Sequence, residues 1–249
     1  MNIQKQSTIG EVVARNFRTA QVFETYGLDF CCGGKKTIGE ACTANGLDSE
    51  KLISELAGVT ENGIHADKSF YSWEADLLAD YIINTHHTYL IRALPNIYAH
   101  AVKVAQVHGE NHPETIRISQ VFSDMKEELE VHMQKEEKML FPYIKLMVQV
   151  NRDENQMHYP PFGTVGNPIK VMEIEHENAG GLMSEINKLT GSYAPPADAC
   201  TTYRVLYEEL REFENDLHIH IHLENNILFP KAIEIEKKLT NQSARGGSQ

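Results

Sequence analysis

The chain has 249 residues, of which 41% are hydrophobic and 23% charged, a balance that is ordinary for a globular protein. Its 35 acidic and 23 basic residues give a formal net charge of −12, which argues against non-specific binding to nucleic acid or to an anionic membrane. Residues 1–15 lack the apolar core of a secretory signal, no apolar run is long enough to span a membrane, and four cysteines are too few for a disulfide scaffold. We therefore expect a cytoplasmic protein.

Residues 1–60 are predicted to form a small helical N-terminal domain. The tetrapeptide TIGE occurs at Thr8–Glu11 and again at Thr37–Glu40, in each case with the spacing of a helix capping box and before a short apolar run. Asp48 is well placed to cap a further helix. Glycine and asparagine residues interrupt the pattern between residues 58 and 70, which indicates a domain boundary there.

Residues 71–240 are predicted to form a bundle of four long helices. They are expected at about residues 72–107, 113–150, 167–189 and 201–239. Pro95 should kink or break the first helix, and Asn167 should cap the third. No strand pattern occurs, so the predicted fold class is all-α, and the tail at residues 241–249 is predicted to be disordered.

An eleven-residue pattern occurs twice in the predicted bundle. Residues 132–142 read HMQKEEKMLFP and residues 220–230 read HIHLENNILFP, so both fit H-x-x-x-E-x-x-x-L-F-P. A histidine and a glutamate four residues apart lie on the same face of a helix, and both can reach one metal ion between helices. Pro142 and Pro230 follow these pairs, where a proline is expected to kink the helix.

A lone histidine precedes each copy of the repeat by nearly the same number of residues. His87 precedes the first copy and His176 the second, and both lie on the apolar stripe of a predicted helix. An imidazole in such a position needs a polar partner or a metal ion. The two halves together supply six predicted ligands, which are His87, His132, Glu136, His176, His220 and Glu224.

The types of ligand indicate which metal is bound. Imidazole and carboxylate ligands without a thiolate favour iron or manganese, whereas zinc sites are more often mononuclear and tetrahedral. Two glutamates can bridge two ions, so we predict two non-haem iron ions. A single His-x-x-x-Glu is more often an ion pair, but its repetition favours metal binding.

Several neighbouring residues leave alternatives open. His86 is a rival of His87 as a ligand, although it lies about 100° further round the helix. His218 and His222 flank a ligand and are expected to be outer polar residues. Glu128 and Asp216 each lie one turn before a paired histidine, where they either orient its ring or face solvent.

Cys31 and Cys32 are adjacent and are followed by two glycines. Adjacent cysteines form a strained disulfide at best, and the glycines are expected to leave the thiols exposed and reactive. A role in redox chemistry or metal transfer is one interpretation, in which the two thiols would be catalytic groups. The other is that two small residues end a helix, and the sequence favours neither.

Together these motifs resemble the Repair of Iron Centres family, which are hemerythrin-like, di-iron proteins that repair iron–sulfur clusters. The resemblance rests on the double-cysteine run, on MEIEHENAG at residues 172–180, on PPADAC at residues 195–200 and on both copies of the repeat. It covers about residues 5–236. It implies a hemerythrin-like four-helix bundle with a small N-terminal helical domain, and the same six iron ligands, with Glu136 and Glu224 bridging.

The resemblance also implies a function. It predicts a bacterial cytoplasmic protein that responds to nitrosative and oxidative stress and restores damaged iron–sulfur clusters by donating iron. Its protein partners would be damaged iron–sulfur proteins or cluster-assembly proteins, and its small ligands would be nitric oxide or dioxygen. Neither a nucleic acid nor a membrane is expected as a partner. Two alternatives use the same ligands: an enzyme that reduces nitric oxide to nitrous oxide, and a dioxygen carrier or sensor. Whether the chain forms a homodimer is left open by its sequence.

Overall fold

The computed structural model describes residues 3–61, 70–153 and 160–246. Within these ranges the regular structure is helical, and the only β-type pairing is an isolated antiparallel bridge between Thr8 and Thr37. This confirms the predicted all-α fold class. None of the helices in these three ranges is long and apolar enough to cross a membrane.

Four short helices form the N-terminal segment. They are α1 (Ile9–Arg15), α2 (Thr19–Thr25), α3 (Ile38–Asn45) and α4 (Ser49–Glu61). The two TIGE tetrapeptides begin α1 and α3, as predicted: the hydroxyl of Thr8 accepts from the Glu11 amide, and Thr37 forms a complete capping box with Glu40. Asp48 caps α4 by accepting two backbone N–H groups through its Oδ1 atom.

The long helices follow as continuous runs with short interruptions. They are α5 (Ala75–Ile82), α6 (Thr88–His108), α7 (Glu114–Lys135), α8 (Phe141–Asp153), α9 (Gly166–Leu189), α10 (Thr201–Leu223) and α11 (Phe229–Gly246). Three five-residue π-helical segments join consecutive helices: π1 (Ile83–His87), π2 (Glu136–Leu140) and π3 (Glu224–Leu228). Such segments are rare and occur frequently at functional sites.

The π segments explain how the repeat accommodates its two prolines. Pro142 and Pro230 lack the N–H that would continue an α-helix, and each comes just after a π segment. In both copies the residue before the proline donates its N–H to a carbonyl five residues back, from Phe141 to Glu136 and from Phe229 to Glu224. The helix therefore widens by one residue at the glutamate of each copy, the residue that the sequence predicts to bind metal.

Two local predictions were wrong, and of the two effects expected at Pro95, a kink or a break, the break does not occur. Pro95 lies inside α6 without breaking it, since only one ladder hydrogen bond is lost within a helix of 21 residues. Asn167 does not cap α9, which begins at Gly166, and its side-chain amide donates instead to the carbonyl of Phe162. The predicted disordered tail is helical as far as Gly246, and residues 247–249 lie outside the described residues.

The chain folds into two compact units. The first unit comprises Met1–Ala79, Ile144–Pro161 and His218–Gln249, and the second comprises Asp80–Tyr143 and Phe162–Leu217. In the second unit, α7 and α10 meet through the rings of Phe122 and Phe213, whose centroids lie 5.4 Å apart. This partition does not follow sequence order, so the division into domains at residues 1–60 and 71–240 stays a prediction.

Candidate metal centre

The second unit brings four of the predicted ligands together. His87 ends π1, His132 lies on α7, Glu136 begins π2 and His176 lies on α9, and each side chain is at most 2% exposed. The Nε2 atoms of His87 and His132 lie 3.3 and 3.4 Å from Oε2 of Glu136. The Nε2 atoms of His132 and His176 are 3.1 Å apart. The ligand atoms of His132, Glu136 and His176 all lie within 4.8 Å of one another.

Two further carboxylates set the orientation of these imidazoles. Nδ1 of His87 lies 2.8 Å from Oε1 of Glu137, and Nδ1 of His132 lies 2.9 Å from Oε2 of Glu175. A carboxylate only accepts, so each ring donates from Nδ1, and the lone pair of its neutral form is on Nε2. The hydrogen bond from His132 and the contact with the ammonium of Lys135 lower the pKa of Glu175 to about 2.

This arrangement fits a bound cation. The Nε2 lone pairs of His87 and His132 converge on a buried carboxylate of Glu136, so three electron-pair donors face one space away from water. Such a set is favourable only when positive charge, from protons or a metal ion, lies between its members. Nitrogen and carboxylate oxygen donors without a thiolate suit iron or manganese.

The first unit contains the two remaining predicted ligands. His220 lies on α10 and Glu224 begins π3, and both side chains are buried. Nε2 of His220 lies 2.9 Å from Oε1 of Glu224. The second copy of the repeat thus has the same local structure as the first, because in both copies the glutamate is the first residue of a π segment.

His87, not His86, faces Glu136. His86 is also buried, but its Nδ1 atom lies 2.9 Å from Oδ1 of Asp216, and its ring packs against Tyr81. Asp216 therefore orients His86. Glu128, the other candidate acceptor, has an exposed side chain, which agrees with the solvent-facing alternative.

Glu137 and Glu175 were missed by sequence reasoning. The acceptors predicted from the sequence, Glu128 and Asp216, lie one turn before a histidine on the same helix. In the structure, Glu175 accepts from His132, which lies on a different helix, and Glu137 accepts from His87, which also lies on a different helical segment. The signal that could have found them is adjacency, since Glu137 follows the predicted ligand Glu136 and Glu175 precedes the predicted ligand His176.

The prediction that His222 is an outer polar residue was wrong. Its side chain is 1% exposed, and its ring centroid lies 5.5 Å from that of Phe30 and 6.1 Å from that of Phe17. Burial lowers the pKa of His222 to about 4, so this imidazole is neutral near pH 7. His218, one turn earlier, contacts Phe30 as well, with 6.1 Å between ring centroids.

The double-cysteine loop is more closed than expected. Cys31 is only 4% exposed and Cys32 is half-buried, and their sulfur atoms are 3.7 Å apart. Asp29 organises the loop, since its carboxylate accepts the backbone N–H groups of Cys31, Cys32 and Gly33. The hydrogen bond with Cys32, together with burial, raises the pKa of the Cys31 thiol well above its usual value. The expectation of two exposed, reactive thiols is therefore wrong for Cys31.

The chain is similar to known proteins along almost its whole length. Residues 78–232 match a family described as the Hemerythrin HHE cation binding domain, and residues 5–60 match a Domain of Unknown function, DUF542. An iron–sulfur cluster repair protein YtfE from Cronobacter sakazakii is 36% identical over 236 residues, which is 94% of this chain and 99% of that protein. Proteins of the same name from Enterobacter and Escherichia coli are also 36% identical, over 92% of this chain and 97% of each relative. The chain therefore belongs to the YtfE family of iron–sulfur cluster repair proteins and carries a hemerythrin HHE cation binding domain.

Proposed function

We propose that this protein repairs damaged iron–sulfur clusters in the bacterial cytoplasm by donating iron. Its relatives are named iron–sulfur cluster repair proteins, and they match this chain over more than nine-tenths of its length. The observation that carries the proposal is the buried convergence of His87 and His132 on Glu136, which has the chemistry of a cation site.

We further propose that the donated metal is an iron pair held by the six residues of the two repeat halves: His87, His132, Glu136, His176, His220 and Glu224. Three observations support this ligand set. All six side chains are buried, both glutamates begin π segments, and each paired histidine lies close to its own glutamate. We expect a histidine-rich site to favour the binding of small ligands at ferrous iron over the storage of a ferric mineral.

Each residue has a distinct part in this proposal. Glu137 and Glu175 hold the Nδ1 protons of His87 and His132, so that both Nε2 atoms remain ready to bind metal. The ring of Phe141 stacks on His87, with centroids 5.8 Å apart and an interplanar angle of 20°, and so keeps water from that side. The half-buried thiol of Cys32 is the part of the double-cysteine motif that an acceptor could reach first.

The partners follow from this function. A damaged iron–sulfur protein or a cluster-assembly protein would receive the iron, and nitric oxide or dioxygen would be small ligands of the same centre. The formal net charge of −12 disfavours non-specific association with nucleic acid.

Reduction of nitric oxide and carriage of dioxygen are less well supported, because no residue described above marks either chemistry. One experiment separates them from repair. The protein is purified without oxygen, its iron is counted, and the ferrous form is mixed with an enzyme whose iron–sulfur cluster has been damaged. Recovery of that enzyme together with loss of iron from this protein is the expected result.

The same vessel is then tested for enzymatic turnover. Nitric oxide is added, and nitrous oxide is measured in the headspace. Many turnovers of nitrous oxide with full retention of iron would contradict donation and would make the protein a nitric oxide reductase. Reversible uptake of dioxygen without any recovery of the damaged enzyme would instead support the carrier.

A further inference from the structure

One stripe of the second repeat copy packs against the N-terminal segment. His218, His222 and Asn226 follow one another at intervals of four residues along α10 and π3, so they lie on one side of the helix. The rings of both histidines contact Phe30, the residue before the double cysteine. This side of the second copy is therefore covered by the loop that carries Cys31.

No part of the chain that the structure describes covers the equivalent stripe of the first copy in this way. Gln134 and Lys138 occupy the positions of His222 and Asn226 in the repeat, and both side chains are exposed. The ammonium of Lys138 donates to the side-chain oxygen of Gln134 at 3.1 Å, an ordinary surface contact. The two copies thus share their ligands and differ on the side where the double-cysteine loop packs.

Asn226 joins this stripe to the backbone of the loop. Its Nδ2 atom lies 3.2 Å from the carbonyl oxygen of Phe30 and 3.2 Å from that of Cys31, so the amide donates to the loop backbone. Two glycines allow this approach. A Cβ atom on Gly10 would lie 2.2 Å from Oδ1 of Asn226, and one on Gly34 would lie 2.6 Å from the same oxygen.

Asn226 also belongs to the segment that carries a proposed metal ligand. Glu224 is the first residue of π3 and Asn226 the third, and the wide turn is closed by the hydrogen bond from the Phe229 amide to the Glu224 carbonyl. π-helical turns are rare, and they occur frequently at functional sites. Glu224 and Asn226 are two residues apart and therefore share the backbone of this one turn.

The contacts of Asn226 bear on the thiols. In the described conformation Cys31 is buried and its thiol has a raised pKa, so it is a poor nucleophile. The carbonyl that Asn226 holds belongs to Cys31 itself. Release of that carbonyl would remove a contact that holds this part of the loop against the helix, while the hydrogen bonds of Asp29 within the loop remain.

We propose that Asn226 is a positioning residue that couples metal binding at Glu224 to the exposure of Cys31 and Cys32. With a metal on Glu224, π3 is held in place and Asn226 keeps the loop closed. When the metal leaves, π3 relaxes, the amide releases the loop and the thiols become accessible. The inference rests on the proposed function, because it requires a metal ion on Glu224.

Thiol labelling tests this coupling without any assay of repair. The full-length protein, free of metal or loaded with Fe²⁺ or with redox-inactive Zn²⁺, is treated with N-ethylmaleimide, and each cysteine is followed by peptide mass spectrometry. Exposed Cys200 and buried Cys42 serve as internal references. Because Asn226 contributes two of the hydrogen bonds that hold the loop, we expect Cys31 and Cys32 to react on the order of tenfold more slowly in the metal-loaded protein.

Two variants separate the role of Asn226 from simple packing. Asn226→Asp preserves the shape of the side chain but replaces the donor with an acceptor that faces two carbonyl oxygens. Both thiols should then react rapidly with or without metal. Lys138→Ala is the matched control, since it changes the equivalent, exposed position of the first copy and should behave as the native protein does.

A third variant tests the same contact in case Asn226→Asp fails to fold. Gly34→Ala does not change residue 226, but the added methyl group would displace the side-chain amide of Asn226 from the loop. This variant should therefore also abolish the metal dependence of thiol labelling. Circular dichroism verifies the fold of each variant.

The contradicting outcomes differ from those that would refute the proposed function. If two metal ions bind but labelling of native Cys31 and Cys32 does not change, the coupling is wrong and the iron site stands. If Asn226→Asp keeps the protection, the metal shields the thiols directly and Asn226 has no part. If no metal binds at all, the proposed function fails, and the coupling fails with it.

Discussion

Nδ1 of His132 lies 2.9 Å from Oε2 of Glu175, which immediately precedes His176 on helix α9. One helix thus supplies both a proposed ligand and the carboxylate that orients a ligand of its neighbour. Glu137, which follows the proposed ligand Glu136, does the same for His87 at 2.8 Å. These crossed contacts tie the orientation of each imidazole to the packing of another helix.

Glu175→Gln is expected to weaken metal binding without abolishing it. The amide cannot supply the negative charge that accepts the Nδ1 proton of His132, and loss of such a partner typically reduces metal affinity by roughly 10- to 100-fold. Competition with a chelator of known affinity measures the change. Glu177→Gln is the matched control, because Glu177 is exposed on the same helix and should leave the affinity unchanged. Equal affinities in both variants would argue that His132 needs no partner of this kind.

Replacement of either repeat glutamate is expected to lower the iron content. Glu136→Ala or Glu224→Ala removes a buried carboxylate proposed to bridge two ions, so the bound iron should fall from two atoms per chain to one or none. Iron is counted by inductively coupled plasma mass spectrometry on anaerobically loaded protein. Retention of two iron atoms by both variants would refute the ligand assignment.

His86 and His87 should differ clearly although they are adjacent and both buried. His87→Ala removes the imidazole whose Nε2 lies 3.3 Å from Glu136, so metal content should fall. His86→Ala removes the partner of Asp216, and the protein should keep its full metal content while losing some stability. Metal counting and thermal unfolding are measured together. The reverse pattern would make His86 the ligand.

Substitution of both adjacent cysteines is expected to spare the metal site. The variant with Cys31→Ala and Cys32→Ala lacks both thiols of the loop, but no thiol is among the six proposed ligands. Iron content should therefore stay at the native level, while recovery of a damaged iron–sulfur enzyme should fall. Cys42→Ala is a suitable comparison, as it removes a buried thiol of the same N-terminal segment. Loss of iron from the double variant would show that the cysteines hold metal or maintain the fold.

Much of this protein follows from its residue spacing alone. The TIGE tetrapeptides begin helices because a threonine and a glutamate three residues apart satisfy the first amides of a helix wherever they occur. His132 and Glu136 share a face because of the helical period, and His220 and Glu224 share one for the same reason. These are local relations, and they needed no knowledge of the neighbouring helices.

Other features were decided only when the helices packed. Glu175 accepts a hydrogen bond from His132, which lies 43 residues earlier in the sequence, and no periodicity relates two residues on different helices. His222 lies off the helix face of Glu224, and for that reason it was expected to be an outer residue, but Phe17 and Phe30 cover it, since burial depends on what packs against a side chain. The spacing of residues therefore determined which side chains could bind metal. The tertiary structure decided which carboxylates orient them and which thiol is hidden, because hydrogen bonds and burial between distant segments arise only from packing.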